Sequence, residues 1–508
     1  MNTTTNPCQP PNRERHLPIH LNLRLSRLIP NNRANFLERV LILDAGQPAR
    51  QPCYFQTGFH IFLTILLPSP DNSIRPLRHS RGMKTIALAL GLATGFTTHL
   101  FAGETLRLQL EPDRNYLLAG SQQEVVVKID LAAAAQKKKP KRTPLNLAVA
   151  LDRSGSMTGA KIEKARQAAM GLVDHYSDHA EVLVPAQEVE DKEALKQRIA
   201  RIRAGGSTAL YSGVQLAAAQ LEKHLSARRI NRVILLSDGL ANVGPSSPSD
   251  LRQLGRSLSE RGVAVTTIGV GDDYNEELMA GLAEASDANY YYVKDTERLP
   301  EIFAKELGEL LTVAARSVRI EIICPDGVRP IGLIGRPEKF EGQKAAIQLN
   351  QFALAQDRFV FLHCLVQEPQ PEIARVGVRY TDELNGGGEE MLSGTARIRF
   401  TKDQKLANSS ARAGVVAQKE LLLTALAKDE ALAEADAGRY QQAAQKLARQ
   451  AQVLDQQCQY APAPLQSQLR QEADNLRLRS SELQQNQYDS GTRKSLQSES
   501  WNVRNSKQ

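Results

Sequence analysis

The 508-residue chain is short of tryptophan and cysteine, with one Trp and five Cys, and aromatic residues make up only 5%. So few cysteines over that length exclude a disulfide-dense scaffold. Long apolar runs are scarce too. Residues 59–67 fall well short of the roughly 20 residues that cross a bilayer, which excludes a multi-span membrane protein. Catalytic signatures are missing as well. Five of the nine His lie at or before His99, and His224 and His363 have no Ser or Cys motif nearby. There is no His-Glu-x-x-His and no phosphate-binding Gly-x-x-x-x-Gly-Lys, so the chain reads as no enzyme. Positive charge is unevenly spread. Residues 1–82 contain ten Arg, no Lys and four acids, a net +6 that leaves +2 of the total +8 for residues 83–508. No basic face remains for a nucleic-acid partner.

What is present is 42% hydrophobic residues, enough for proper cores, over a length that fits about three domains. Residues 1–82 hold ten of the 24 prolines, together with Cys8 and Cys53, and show no sustained helix or strand period. They read as a disordered upstream extension foreign to the rest. At Met83-Lys84 the character changes. An apolar stretch over 85–96 and small residues ending at Ala102 give residues 83–102 the build of a signal peptide. Export to the periplasm, the cell envelope or the medium is then expected, with Met83 as the start. The other reading is a disordered arm followed by one membrane helix.

Residues 104–135 alternate like strands, with Leu106, Leu108 and Leu110 followed by Val125, Val127 and Ile129. Gln136-Lys-Lys-Lys-Pro-Lys-Arg142 reads as a solvated linker. Over 143–311, apolar strands at 145–151, 232–236, 263–270 and 290–293 alternate with helices, which predicts an α/β doubly wound, Rossmann-like domain with a mostly parallel sheet. Residues 316–402 return to strands joined by Pro, Gly and Asp, the pattern of an antiparallel β-sandwich. The strands before the α/β domain complete that sandwich if the domain is an insertion. Residues 408–483 form a C-terminal helical region. Its hairpin at Gly438 is similar to a tetratricopeptide unit, but one unit cannot make a solenoid, so it reads as an accessory region. Residues 484–508 are polar and predicted disordered. Cys324 and Cys364 fall on sandwich strands, as either a disulfide or two buried thiols, with Cys458 left over.

The chemistry gathers in three places. Asp152-Arg-Ser154-Gly-Ser156 follows the first α/β strand, Gly205-Gly206-Ser207-Thr208 precedes a helix, and Ser237-Asp238-Gly239 ends the next strand. In an open α/β sheet these positions belong to the ligand-binding edge at the strands' carboxyl ends. Asp152, Ser154, Ser156, Thr208 and Asp238 offer two carboxylates and three hydroxyls. These are hard oxygen donors suited to Mg²⁺, or Mn²⁺ or Ca²⁺, rather than zinc. Taken singly, Asp-x-Ser-x-Ser is also a helix cap and Asp238-Gly239 an ordinary turn. It is the three together, each beside the right element, that point to a metal.

Leu147-Ala-Val-Ala-Leu-Asp-Arg-Ser-Gly-Ser-Met157, Gly206-Ser-Thr-Ala-Leu210, Leu235-Leu-Ser-Asp-Gly-Leu-Ala-Asn242 and Thr267-Ile-Gly-Val-Gly-Asp272 resemble the von Willebrand factor A family over residues 143–311. The flanking regions are similar to bacterial exported proteins that carry such a domain. The resemblance implies a metal-ion-dependent adhesion site whose ligand positions match the same five residues. It also implies a protein partner that supplies an Asp or Glu carboxylate. One departure stands out: after Tyr176 only one strand, at 181–184, fits where the family has two. The central sheet is therefore either rebuilt or short of a strand beside the metal-bearing one. The same junction contains His175-x-x-x-His179, a helical zinc spacing without a third ligand. Asp272, Asp273, Glu276 and Glu277 read as a second cation site or, more simply, a capped helix start. The expected function is an exported binding protein. The alternative is a regulatory or assembly subunit of an envelope enzyme or transport complex.

Overall fold

Leu145–Asp152, Ile230–Ser237 and Val263–Val270 are buried at every position. Strands of that kind need helices on both faces of their sheet. A computed structural model supplies them. It describes residues 59–66, 99–102, 105–133, 144–174, 181–183, 186–188, 191–226, 229–354, 356–366, 370–485 and 487–505. Leu145, Leu147, Val149 and Leu151 share one core with Ile162, Ala165 and Leu172 of helix Ala160–Asp174 and with Phe303 and Leu307 of helix Leu299–Leu311. The alternate residues, Ala148 and Ala150, face Val214, Ala217 and Leu221 of helix Leu210–Glu222. Helix Pro248–Glu260 contributes Leu254 and Leu258 to that second layer. Each strand thus feeds two helical layers, and the domain is doubly wound α/β as expected.

The sheet runs Tyr290–Val293, Val263–Val270, Ile230–Ser237, Leu145–Asp152, Phe59–Leu66, Glu181–Leu183, Ala186–Glu188. The first four are parallel neighbours. The next resolves the departure after Tyr176. Phe59–Leu66 lies antiparallel to both Leu145–Asp152 and Glu181–Leu183. The sheet is rebuilt, not short of a strand. The expectation that residues 1–82 are structureless is therefore corrected at 59–66. That segment, Phe-His-Ile-Phe-Leu-Thr-Ile-Leu, is made of β-forming residues. The strand Leu145–Asp152 offers it a ladder of unpaired backbone groups. Its length marks it only as too short to cross a membrane. His175 and His179 lie outside the described residues, as do Cys8, Cys53 and residues 67–98.

The second core is a sandwich. Lys344–Ala353, Val313–Ile323, Glu372–Asp382 and Glu389–Arg397 make one sheet, in that order. Val328–Leu333, Asp357–Val366, Gln123–Ala133, Leu106–Pro112 and His99–Ala102 make the other. Both are antiparallel. Gln123–Ala133, before the α/β domain, pairs along its whole length with Asp357–Val366 beyond it. The α/β domain is thus inserted into the sandwich. His99–Ala102, the last four residues of the stretch expected to be a signal peptide, is an edge strand here. Cys324 and Cys364 are buried free thiols. They share a hydrogen bond that pulls Cys324 down and, with burial, pushes Cys364 up.

Helices Ala413–Asp436, Tyr440–Cys458 and Ala463–Gln484 pack on a common core that includes Leu447, Leu454, Leu469 and Leu476. The predicted disordered tail is a further correction. Asp489 caps a helix over Ser490–Arg504 by accepting from Thr492 N at 2.7 Å. The chain's one Trp, Trp501, is buried edge-on against Tyr290, with ring centroids 5.8 Å apart. Arg493 pairs with Glu276, Glu277 and Asp436, and Lys494 with Glu276 at 3.1 Å. The tail's polar composition records ion pairs to the α/β domain rather than solvation. Among the described residues, no helix is long and apolar enough to cross a membrane.

Candidate metal centre

Because Leu145–Asp152 and Ile230–Ser237 are parallel and paired Leu151 to Leu236, their carboxyl ends lie side by side. Asp152 and Asp238 therefore meet. Ser237 Oγ donates to Asp152 Oδ2 at 2.5 Å, and Ser154 N donates to Asp152 Oδ1 at 2.8 Å. A single 3₁₀ turn, Gly155–Met157, folds the next residues back. Ser154 Oγ and Ser156 Oγ are 2.9 Å apart, and Ser156 Oγ donates to Asp238 Oδ1 at 2.8 Å. The second loop is tied on by its backbone: Gly205 N donates to Arg153 O at 2.5 Å and Gly155 N to Gly206 O at 3.2 Å. Gly206 has φ +92°, a conformation that glycine adopts at little cost.

Thr208 completes the set. Its backbone N donates to Asn242 Oδ1 at 2.9 Å, and its carbonyl accepts from Asn242 N and Val243 N. Gly239 is required by close approach. A Cβ there would stand 2.6 Å from Thr208 Oγ1 and 3.3 Å from Asp152 Oδ2. The five residues singled out by sequence are thus brought together around one point. Asp152, Ser154, Thr208 and Asp238 are buried, while Ser156 is exposed at the mouth.

Burial drives the electrostatics. Desolvation raises the Asp152 carboxyl above the ordinary 3.8, and the nearby Asp238 adds to this, against hydrogen bonds from Ser237 and Ser154 that lower it. Two carboxylates taken out of water side by side are costly unless a cation joins them. The donor set fits a hard divalent ion, since every donor is oxygen. Among the described residues no cluster of three or more His, Cys, Asp or Glu side chains forms a site of another type. The acidic loop is a capped helix start: Asn275 Oδ1 accepts from Glu277 N and Leu278 N, and Glu276 is buried against Arg493 and Lys494.

Three site residues went unassigned from sequence. Ser237 had a signal, as a hydroxyl directly after the buried apolar run Val233–Leu236. Asn242 lies within the quoted motif but has no spacing that marks it. Lys161, whose Nζ is 2.5 Å from Asp238 Oδ2, follows Ser156 by five residues and looks like any helix-surface lysine.

Comparison with known proteins agrees with this fold. The von Willebrand factor type A domain matches residues 146–305. The uncharacterized protein sll0103 of Synechocystis is 26% identical over 48% of this chain and 64% of its own length. The uncharacterized protein YfbK of Escherichia coli is 26% identical over 40% of this chain and 37% of its own. The chain thus spans less than two thirds of these relatives. Among solved structures, a von Willebrand factor type A protein from Catenulispora acidiphila superposes with a TM-score of 0.56 at 20% identity, covering 71% of this chain and 88% of that one. The ArnB paralog VWA2 from Sulfolobus acidocaldarius gives 0.51 at 18% identity, covering 75% and 98%. The inserted α/β unit, residues 146–305, is a von Willebrand factor type A domain.

Proposed function

We propose that the protein is a non-enzymatic binding protein whose metal centre captures a carboxylate of a protein partner. Asp152, Ser154, Ser156, Thr208 and Asp238 would hold Mg²⁺ or a similar ion, which supplies a Lewis-acidic position for an incoming Asp or Glu. The reading rests on one observation above all: a buried pair of carboxylates converges with hydroxyls on a point whose outer ligand, Ser156, faces solvent. Three of the five donors are neutral, so an ion held here keeps an appetite for a further anion. The rim suits a protein partner. Leu240, directly after Asp238-Gly239, is 59% exposed at the rim of the site. Beside the metal, the loops that carry Leu240 and Arg153 would set specificity.

The test is capture from envelope extracts by immobilised protein, with Mg²⁺ or with chelator. Partner retention only with Mg²⁺, and its loss in Asp152→Ala with an unchanged circular dichroism spectrum, is expected. Equal capture with chelator would reject the reading.

A further inference from the structure

Asp238 has two carboxylate oxygens, and both are engaged. Oδ1 accepts from Ser156, one of the five metal donors, and Oδ2 accepts from Lys161 Nζ at 2.5 Å. Asp238 is fully buried, while the Lys161 side chain is about a quarter exposed. The lysine reaches in from the first turn of helix Ala160–Asp174, across Gly271, where a Cβ would lie 3.4 Å from Lys161 Cε. Its ammonium also stands 4.0 Å from Asp273 Oδ2, on a side chain 81% exposed. One ammonium therefore sits between a buried metal-site carboxylate and a solvated one, on a flexible four-carbon stem.

We propose that Lys161 is a tethered cation that competes with the metal for Asp238 and so sets the affinity and the threshold concentration of the site. This inference rests on the metal-binding reading above. A divalent ion at the donor side of Asp238 and an ammonium on Oδ2 draw on the same carboxylate charge and repel each other in a site of low dielectric. Metal entry therefore disfavours the ammonium on Oδ2, and Asp273, 4.0 Å away, offers it another partner. To the extent that the ammonium on Oδ2 opposes the metal, the apparent metal affinity falls toward the intrinsic affinity multiplied by the fraction of molecules in which Lys161 has swung out. If the bound lysine predominates about tenfold over the released one, it weakens metal binding by about the same factor. The residue thereby keeps the centre selective for conditions rich in divalent cation.

The test is isothermal titration of Mg²⁺ into the full chain and into Lys161→Met and Lys161→Arg. The Met variant keeps the aliphatic stem and removes the charge. It is expected to bind about tenfold more tightly than the wild type. The Arg variant, which keeps the charge, is expected to stay near the wild type. The melting midpoint of each variant in chelator reports on folding separately. Wild-type binding with an unchanged or weaker Met variant overturns the competition, and so does an Arg variant as tight as the Met one. Absence of Mg²⁺ binding in all three chains would instead overturn the metal-site reading beneath it.

Discussion

Replacing Gly239 by alanine adds one methyl group at the most crowded point of the site. The new Cβ would stand 2.6 Å from Thr208 Oγ1 and 3.3 Å from Asp152 Oδ2. Carbon and oxygen settle at about 3.5 Å, so Thr208 Oγ1 has to retreat by nearly 1 Å. It cannot do so by moving its backbone freely. Thr208 N is held by Asn242 Oδ1, and Thr208 O by two backbone amides. The side chain must rotate or the loop must shift, and ligand geometry tolerates only about 0.5 Å before function suffers. Overpacking of this size costs about 1–3 kcal/mol of stability. A disturbed supporting residue typically costs about 10–100-fold in metal affinity. Chemical denaturation and Mg²⁺ titration of Gly239→Ala measure the two effects. Wild-type affinity in a folded Gly239→Ala protein would refute the placement of Thr208 at the centre.

Other outcomes follow from the same geometry. Asp152 has its folded pKa raised by burial. Its contribution to stability is present below about 3.8 and is lost as pH rises through the folded value. At pH 7 in chelator, Asp152→Asn should therefore melt above the wild type while failing to bind Mg²⁺, and a lower melting midpoint contradicts this. Leu240→Asp should weaken partner capture and leave Mg²⁺ affinity unchanged in titration, since Leu240 is a rim residue. Trp501→Ala should cost about 3–5 kcal/mol in denaturant unfolding and release the C-terminal helix to proteolysis. A protease-resistant tail in that variant would mean the ion pairs alone hold the helix. A chain beginning at Met83 lacks the strand Phe59–Leu66 that pairs with Leu145–Asp152. It should melt earlier and bind Mg²⁺ less tightly, and equal behaviour would show that strand to be dispensable.

Much of the candidate site was legible in the sequence because Asp152 and Asp238 sit at strand ends, where short motifs and hydrophobic runs mark position together. Asp152 and Asp238 each follow a run of buried apolar residues, so topology alone brings them side by side. Lys161 escaped because its role depends on where a long side chain points, which spacing does not encode. Phe59–Leu66 escaped for a different reason. It pairs with a strand some 80 residues later, and no local period announces a partner so distant. The helix over Ser490–Arg504 has few apolar residues to betray it. Its docking relies on Trp501, Leu496 and charges whose partners Glu276, Glu284 and Asp429 lie far away in sequence.

Everything in the functional account depends on the five oxygen-bearing residues acting as one metal centre. Titration with Mn²⁺ followed by electron paramagnetic resonance counts the bound ion directly. The wild-type chain is expected to bind one Mn²⁺ that Mg²⁺ displaces, and Asp238→Ala, with its fold intact, to bind none. A wild-type chain that leaves all Mn²⁺ free, or an Asp238→Ala chain that binds it equally well, would contradict the account.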